Sequence, residues 1–423
     1  MLTALINAFR VPELRKKIIF TLAIIALYRL GSFITVPGVN VAQLVEAFQG
    51  ATGNTALLFL NLFSGNALEK FSVLSLGIMP YITASIIMQL MQGVIPSLQR
   101  WAREGESGRK KITQITRYVT LGLGLINAIG YLLLFQNQYG VRLPSELPAM
   151  LTSFVIVFTL VAGVALIMWM GELITQRGIG NGMSLIIFAN IVAGFPGAIF
   201  DSAMTQGAAF TVLVIVIVLL VIPGIVLIER AQRRIPINYA KRIQGRRVMG
   251  GTSTYIPLKV NGAGVIPIIF ASALLFFPAQ LAAFFNVDWL TNVSNALASD
   301  SWINWVLNFV LIVFFCFFYT SMVFNPDDTA DNLRKQGGFI PGVRPGINTV
   351  QYIKNVLNRI TLPGGVYIAL IAVIPSILFS MTGDTLISAF GGTSILIMVG
   401  VALDTMSKLE SQLKMHHYEG FFK

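Results

Sequence analysis

The sequence has little charge. Charged residues make up 11% of its 423 positions, whereas hydrophobic residues make up 55%. An ordinary soluble protein carries about 25% charged residues, so too few polar side chains remain here to cover a water-facing surface of this size. The composition nearly excludes a soluble globular protein and indicates a protein that lies largely within a membrane.

Cysteine, histidine and phosphate-binding motifs are also scarce. The single cysteine, Cys316, excludes an internal disulfide bond and gives no sign of a metal site. The only two histidines, His416 and His417, lie near the C-terminus, where we expect them to be solvated. No Ser, His and Asp set converges within the apolar segments, and no Gly-rich loop precedes a Lys and a Ser or Thr. We therefore predict no catalytic residue, no metal and no cofactor.

Long apolar runs dominate the sequence. A helix needs about 20 apolar residues to cross a hydrocarbon core of roughly 30 Å. Ten segments qualify, at 18–37, 71–92, 118–137, 151–172, 183–200, 209–228, 262–285, 303–323, 363–382 and 389–406. The first of these is too long for a removable signal peptide, so we expect a permanent first span. The second is interrupted by Ser, Thr, Gly, Pro and Gln and would face lipid poorly.

Basic residues outnumber acidic ones, 30 to 18, and they are placed unevenly. With ten spans, 27 of the 30 fall on one side, in the two termini and the loops 93–117, 173–182, 229–261 and 324–362. Lys and Arg collect in cytoplasmic loops, so both termini are predicted to be cytoplasmic. The loops 229–261 and 324–362 carry basic residues far from any span, which predicts docking of phosphate-rich RNA or an acidic protein surface. A role in topology alone is the other interpretation.

Two corresponding spans share a pattern. Residues 77–85 read GIMPYITAS and residues 264–272 read GVIPIIFAS, with Gly, Pro, Ile, Ala and Ser at the same offsets. Ten spans divide into five and five, so the second half enters the membrane inverted. Interrupted segments at matching positions of two inverted halves indicate a central pathway, although Gly and Pro are also common in ordinary membrane helices.

The pathway lacks charge. A small-solute secondary transporter with inverted repeats is the alternative. Ion-coupled transporters place ionisable groups inside the membrane, and no such coupling site is visible near Pro80 or Pro267. Apolar positions instead favour a hydrophobic constriction that resists ion flow. Arg29 lies inside the first span, where we expect it to cap backbone carbonyls or contact a partner helix. The short apolar segment 55–68 is either an interfacial helix or a re-entrant segment that stops the pore.

Ten short strings of residues occur in a fixed order along the chain. They are Arg29-Leu30-Gly31, Pro37-Gly38, Gly77-Ile78-Met79-Pro80-Tyr81-Ile82, Gly105-Glu106-Ser107-Gly108-Arg109, Arg177-Gly178-Ile179-Gly180-Asn181-Gly182, Gln232-Arg233-Arg234, Pro257-Leu258-Lys259-Val260-Asn261, Asn325-Pro326, Pro341-Gly342-Val343-Arg344-Pro345-Gly346 and Gly391-Gly392-Thr393-Ser394. Together they resemble the SecY family, the central subunits of the bacterial protein-conducting channel. The resemblance covers essentially the whole chain.

The resemblance implies an all-α polytopic membrane protein with ten transmembrane helices in two inverted, pseudo-symmetric five-helix halves. The halves would be residues 1–208 and 209–406, followed by a cytoplasmic tail, 407–423. Between them lies an hourglass pore whose waist is sealed by an apolar ring, here Ile78, Ile82, Met183, Ile187, Ile269 and Ile397. Met183 replaces the usual isoleucine, which keeps the seal apolar and makes it more pliable. Thr35 also departs from the family pattern, without an evident functional consequence.

The family also implies a plug, a lateral gate and docking positions. The plug maps to about residues 56–68, with Leu57, Leu58, Phe59, Leu60, Asn61, Leu62 and Phe63. The gate lies between the second and seventh spans, with the third and eighth alongside, and its polar positions are Thr83, Gln89 and Asn261. These three side chains have the other interpretation of satisfying backbone groups. Arg246, Arg247 and Arg344 would engage the ribosome or the SecA motor.

The function that the resemblance implies is passive passage of unfolded secretory proteins across the bacterial inner membrane. Signal sequences and membrane-protein helices would leave sideways into lipid. The implied partners are SecE and SecG, the SecA ATPase, the ribosome, signal sequences and nascent chains, SecDF and YidC, and membrane lipids.

Overall fold

A computed structural model describes residues 8–39, 61, 64–137, 148–239, 242–244, 247–249, 253–285, 289, 292–293, 296–297, 301–383, 386–387 and 390–419. Helices dominate this part, and a helix overlaps each of the ten predicted spans. In chain order the elements are α1 Pro12–Gly31, α2 Met79–Val94, α3 Pro96–Arg103, α4 Glu106–Asn137, α5 Ala149–Arg177, α6 Gly182–Thr205, α7 Ala208–Arg230, β1 Gln232–Tyr239, β2 Arg242–Gln244, β3 Arg247–Met249, β4 Ser253–Lys259, α8 Ile266–Phe285, α9 Trp302–Val323, α10 Pro326–Lys335, β5 Gly338–Phe339, α11 Ile347–Thr382 and α12 Gly392–Glu419.

Several helices have the length and apolarity of membrane spans. Within the described residues, five qualify on their own, and α2 with α3 forms a sixth if the pair, bent by 103°, is one span. Helix α7 presents large apolar side chains to the outside, among them Val212, Ile217 and Leu220. Such an unpaired apolar surface belongs in lipid. The predicted class, an all-α polytopic membrane protein, is confirmed.

The second predicted span, 71–92, was wrong at its start, because the helix there begins only at Met79. Gly77 has a φ of 57°, in the left-handed region that interrupts a helix, and Pro80 takes one of the first two helical positions, where its missing N–H costs nothing. The corresponding helix repeats this geometry: Gly264 has a φ of 62°, α8 begins at Ile266, and Pro267 is its second residue. The shared sequence pattern is therefore a shared structure, a glycine elbow followed by a helix.

Apolar clusters show how the helices pack. One cluster joins α1, α5 and α6 to Ile397 and Val401 of α12, so it connects the first, second, fourth and fifth predicted spans to the tenth. A second cluster lies among α4, α5 and the chain around Leu68. A third holds α7, α8, α9, α11 and α12 together. The cluster shared by α6 and α12 is thus one of the places where the two predicted halves contact each other.

The two long basic loops contain regular structure that the sequence analysis did not predict. Strands β1 and β4 pair antiparallel from Gln232 opposite Lys259 to Asn238 opposite Ser253, and β5 pairs with the far end of β1. The strands β2 and β3 form a second hairpin. Helix α11 begins 16 residues before the predicted span 363–382, and α12 continues beyond 406 to Glu419. An apolar-run criterion misses such polar extensions because only the membrane part of a helix must be apolar.

Candidate pore and docking surface

The six side chains of the predicted ring come together in space. Ile78, Met183, Ile187 and Ile397 are buried members of one apolar cluster, and Ile82 and Ile269 pack against it. They are supplied by the start of α2, the start of α6, the start of α8 and by α12, and the first and last of them, Ile78 and Ile397, lie over 300 positions apart in sequence. All six side chains are apolar, so none of them carries a charge to which an ion or solute could bind.

The two glycine elbows place ring residues at helix starts. Ile78 is the residue before α2, and Ile82 lies one turn later, its N–H donating to the Ile78 carbonyl at 3.1 Å. Ile269 occupies the first turn of α8, three residues after Ile266. Since both helices start abruptly after a left-handed glycine, their first turns are fixed in position without a preceding helical turn.

Met183 is held at the start of α6 by its neighbours. The side chain of Asn181 caps the helix, its Oδ1 accepting from the Met183 N–H at 3.1 Å. The Thr175 hydroxyl accepts from the N–H of Gly182 at 2.9 Å. A side chain at Gly171 of α5 would collide with the sulfur of Met183, so the missing side chain at Gly171 provides the space in which Met183 lies.

The chain before α2 is anchored by Arg29. Its Nη1 donates to the carbonyl oxygen of Gly65 at 2.9 Å, which confirms that Arg29 caps a backbone carbonyl. Beside it, the buried Asn190 amide donates to the Tyr28 hydroxyl at 2.8 Å. Gly65 has a φ of 67°, and a Cβ atom there would lie 2.6 Å from Arg29 Nη1 and 2.7 Å from Asn190 Oδ1. Only glycine fits between these two side chains.

Most of the predicted plug lies outside the described residues, namely Leu57, Leu58, Phe59, Leu60, Leu62 and Phe63. Asn61 is described, and it organises the chain that follows. Its carbonyl accepts from the Ser64 hydroxyl and from the Asn66 N–H, both at 2.9 Å. Its side-chain Oδ1 accepts from the Glu69 N–H at 3.2 Å. Asn61 therefore ties the end of the predicted plug to a turn that ends in the buried Leu68.

The predicted gate positions bond locally. The Thr83 hydroxyl donates to the Met79 carbonyl at 3.0 Å, and the Gln89 amide donates to the Ser85 hydroxyl at 3.3 Å, both within α2. Asn261 lies between β4 and α8, where its amide donates to Glu229 Oε1 at 2.6 Å and to the Gly264 carbonyl at 3.1 Å. These hydrogen bonds fit the interpretation that the three side chains satisfy nearby polar groups.

Two of the three predicted docking residues, Arg247 and Arg344, are described, and both lie in the strand-bearing loops. Arg344 is exposed in the turn before α11. Arg247 begins β3, and Arg246 lies outside the described residues. On the β1–β4 ribbon the Arg234 guanidinium stacks 4.8 Å above the Tyr255 ring. This surface is basic and structured.

Sequence reasoning missed two acidic partners. Glu229, at the end of α7, accepts the Asn261 hydrogen bond described above. Glu172 of α5 receives two hydrogen bonds from the Arg117 guanidinium of α4, the longer one 2.7 Å. The carboxylates stand out in sequence as rare charges beside spans, but their partners are 32 and 55 residues away. Within the described residues no group of His, Cys, Asp and Glu has the arrangement of a metal site.

The described geometry defines a class: a polytopic helical membrane protein whose elbow-started helices meet at an apolar junction. A family model for SecY matches residues 72–406. The protein translocase subunit SecY of Streptomyces coelicolor is 48% identical over an alignment of 439 residues that covers all of both chains. That of Mycobacterium tuberculosis is 45% identical over 442 residues, also at full coverage. The chain belongs to the SecY family.

Solved structures show the same fold. A protein-conducting channel matches with a TM-score of 0.63 at 17% identity, covering 93% of this chain and 91% of that one. A SecY whose plug domain is described as stabilising the closed state matches with a TM-score of 0.61 at 17% identity, with the same coverage. Sec61 from a canine ribosome–channel complex of the endoplasmic reticulum matches with a TM-score of 0.61 at 16% identity, again with that coverage.

Proposed function

We propose that the chain is the pore-forming subunit of a preprotein translocase, a passive channel for unfolded secretory proteins in the bacterial inner membrane. The observation that carries this proposal is the gathering of six apolar side chains, from four separate stretches of chain, into one cluster. Water leaves a narrow apolar constriction, and an ion does not cross it without hydration. A flexible ring of such side chains closes around a polypeptide without binding it specifically.

The secondary-transporter alternative is less well supported. It requires a coupling charge or a polar cage near Pro80 and Pro267, and the ring side chains there are apolar. The curated relatives are named protein translocase subunits. We infer that the chain performs no chemistry of its own and that the SecA ATPase or the translating ribosome supplies the energy.

A lateral gate would lie between α2 and α8, with α4 and α9 alongside. In support, α8 contacts both α2 and α4, while α9 packs on α8. The halves 1–208 and 209–406 would therefore separate along this contact. An apolar signal sequence that moves from the pore into lipid gains about 0.3 to 0.6 kcal/mol per Leu, Ile or Val. Thr83, Gln89 and Asn261 remain the proposed polar positions of the gate.

The plug is proposed for about residues 56–68, a segment that includes the anchored turn at Gly65. The relative whose plug domain stabilises a closed channel and maintains a membrane seal supports this assignment. The Arg29 hydrogen bond to Gly65 would fix the end of the plug close to α1 and α6.

Docking of partners would occur on the basic, strand-bearing side, which we place in the cytoplasm with both termini. Two of the similar structures are ribosome-bound channels, which supports the ribosome as one partner. Arg246, Arg247 and Arg344 would contact the ribosome or SecA. SecE and SecG would complete the channel, SecDF and YidC would act beside it, and anionic lipids would face the same basic side.

Ion leakage tests the proposed seal. We expect Ile82→Asn and Ile269→Asn each to raise the resting ion conductance of vesicles that contain the assembled channel, because a polar amide stabilises water in the constriction. The control Ile82→Leu keeps an apolar side chain of equal size and should stay closed. Unchanged conductance in both Asn variants, with normal assembly, would count against the seal.

A further inference from the structure

Asn261 occupies the junction between the β1–β4 ribbon and helix α8. It is 5% exposed, and its amide nitrogen donates to two groups, Glu229 Oε1 at 2.6 Å and the Gly264 carbonyl at 3.1 Å. A side-chain amide has two N–H donors, so one hydrogen serves each acceptor. The residue thereby links the last turn of α7 to the elbow from which α8 starts.

The root of the ribbon is fixed at the same place. The N–H of Val260 donates to the Ala231 carbonyl at 2.9 Å, which extends the pairing of Gln232 with Lys259 by one step toward the membrane. A Cβ atom at Gly364 of α11 would lie 2.6 Å from the Val260 carbonyl oxygen. The backbone of α11 therefore packs directly on the root of the ribbon.

The ribbon also belongs to a larger body on the basic side. Ile235 and Leu258 of the ribbon share an apolar cluster with Ile340, Ile353 and Leu357. These last three belong to the second basic loop and the first turns of α11. Because packed apolar clusters move together, a force applied to either basic loop reaches the root of the ribbon.

On the membrane side, the path from Asn261 to the pore is short. Gly264 holds the left-handed elbow, α8 begins at Ile266, and Ile269 packs on the ring cluster. Helix α8 contacts α2 and α4, which supply the other side of the proposed gate. A displacement of the elbow would thus move the helix that carries one ring residue and one wall of the gate.

We propose that Asn261 is a positioning residue that couples a ribosome docked on the basic side to the movement of α8. This inference rests on the proposed function, because it assumes a channel that a docked partner opens. Glu229 is the fixed point of the coupling, since its carboxylate holds the amide while the second N–H holds Gly264. Without the amide, the ribbon would move without the elbow, although the docking surface itself would be unchanged.

The test separates docking from opening. The complete channel complex is placed in lipid nanodiscs, with Cys316→Ser and spin labels at Val94→Cys and Leu274→Cys, two exposed positions on α2 and α8. Ribosomes that carry a nascent secretory chain are added, and both the ribosome affinity and the distance between labels are measured. We expect Asn261→Ala and Glu229→Leu to bind ribosomes with unchanged affinity and to lose the ribosome-dependent distance shift.

The control is Glu229→Gln, whose amide oxygen still accepts the Asn261 hydrogen bond, and which should keep the shift. A full shift in Asn261→Ala would overturn the inference, and so would a parallel loss of affinity and shift, which indicates a merely structural role. If the Asn261→Ala channel does not assemble, Glu229→Leu removes the same hydrogen bond from its acceptor side, and the same two measurements on that variant decide the question. Binding without a shift in the parent protein also overturns the inference, whereas absence of ribosome binding in the parent overturns the proposed docking instead.

Discussion

Single residues fix the chain that leads into the pore. Arg29 reaches from α1 to the Gly65 carbonyl, and the polar pair of Tyr28 and Asn190 lies beside it. A guanidinium in a membrane span is costly unless its hydrogen bonds are satisfied. Here the Arg29 guanidinium donates to the carbonyl of Gly65. The φ of Gly65 and its close neighbours exclude any side chain at that position. A side chain at position 65 would therefore collide with both Arg29 and Asn190.

Arg29→Met should lower the free energy of unfolding of the channel in detergent by about 2 kcal/mol, because a hydrogen bond from a charged group is lost. Chemical denaturation followed by circular dichroism measures this. The control Arg10→Met also removes one positive charge, at an exposed position on the basic side, and should be near neutral. Equal stability of the two variants would show that the Gly65 contact contributes nothing.

At the scale of elements, the two glycine elbows determine where α2 and α8 begin. Gly77 and Gly264 have nearly the same φ, 57° and 62°, and each precedes its helix by two residues. The consequence is a pair of matched helix starts in corresponding positions of the predicted halves. Each start carries ring residues, which links the repeat in the sequence to the apolar cluster.

Gly264→Ala should lower the free energy of unfolding by about 1 to 2 kcal/mol, because an alanine at a left-handed φ is strained even where space is free. A Cβ atom at Gly264 meets nothing within 4 Å, so packing adds no further cost. Gly262→Ala is the matched control: its Cβ would meet the Lys259 carbonyl at 3.9 Å, an ordinary contact. Amide hydrogen exchange over residues 262–275 should speed up only in Gly264→Ala, and equal exchange in both would contradict the elbow.

Much of this element structure could be predicted from sequence, and some could not. Apolar runs located a helix in each of the ten predicted spans, because this signal is local. The matching Gly and Pro offsets marked corresponding positions in two spans but did not predict that the helices begin there. The alternation of buried Ile235 and Ile237 with exposed neighbours is a local strand signal that was available but not used. The bond from Asn261 to Glu229 was not predictable, since it depends on how a turn closes in three dimensions. That Ile78 and Ile397 belong to one apolar cluster was predicted only through the family resemblance.

The whole molecule is polarised by charge. Of the 30 basic residues, 27 belong to segments predicted on one side, where the described loops fold into the ribbon, α10 and the start of α11. The apolar remainder includes the exposed apolar surface of α7 and the cluster that joins α1, α5 and α6 to α12, which we propose as the seal. Basic surface and apolar junction are connected through the root of the ribbon at Val260 and Asn261.

Arg344→Glu should reduce ATP-driven export of a secreted precursor by about tenfold, equivalent to ~1.4 kcal/mol of docking free energy, because the reversed charge repels an acidic or phosphate-bearing partner. Assembly of the channel should be unaffected at this exposed turn. Lys354→Glu makes the same charge change at an exposed position of α11 and should have a smaller effect. Equal losses would assign the effect to net charge rather than to docking at Arg344.

The most direct test of the central claim is photocrosslinking of a stalled secretory chain. Crosslinkers are introduced at Ile82 and Ile187 of the apolar cluster and, as a control, at the exposed Ile217 of α7. If polypeptide passes through the apolar junction, the stalled hydrophilic stretch crosslinks to positions 82 and 187 and not to 217. Absence of crosslinks at both ring positions, while the chain is demonstrably stalled across the membrane, would contradict the account.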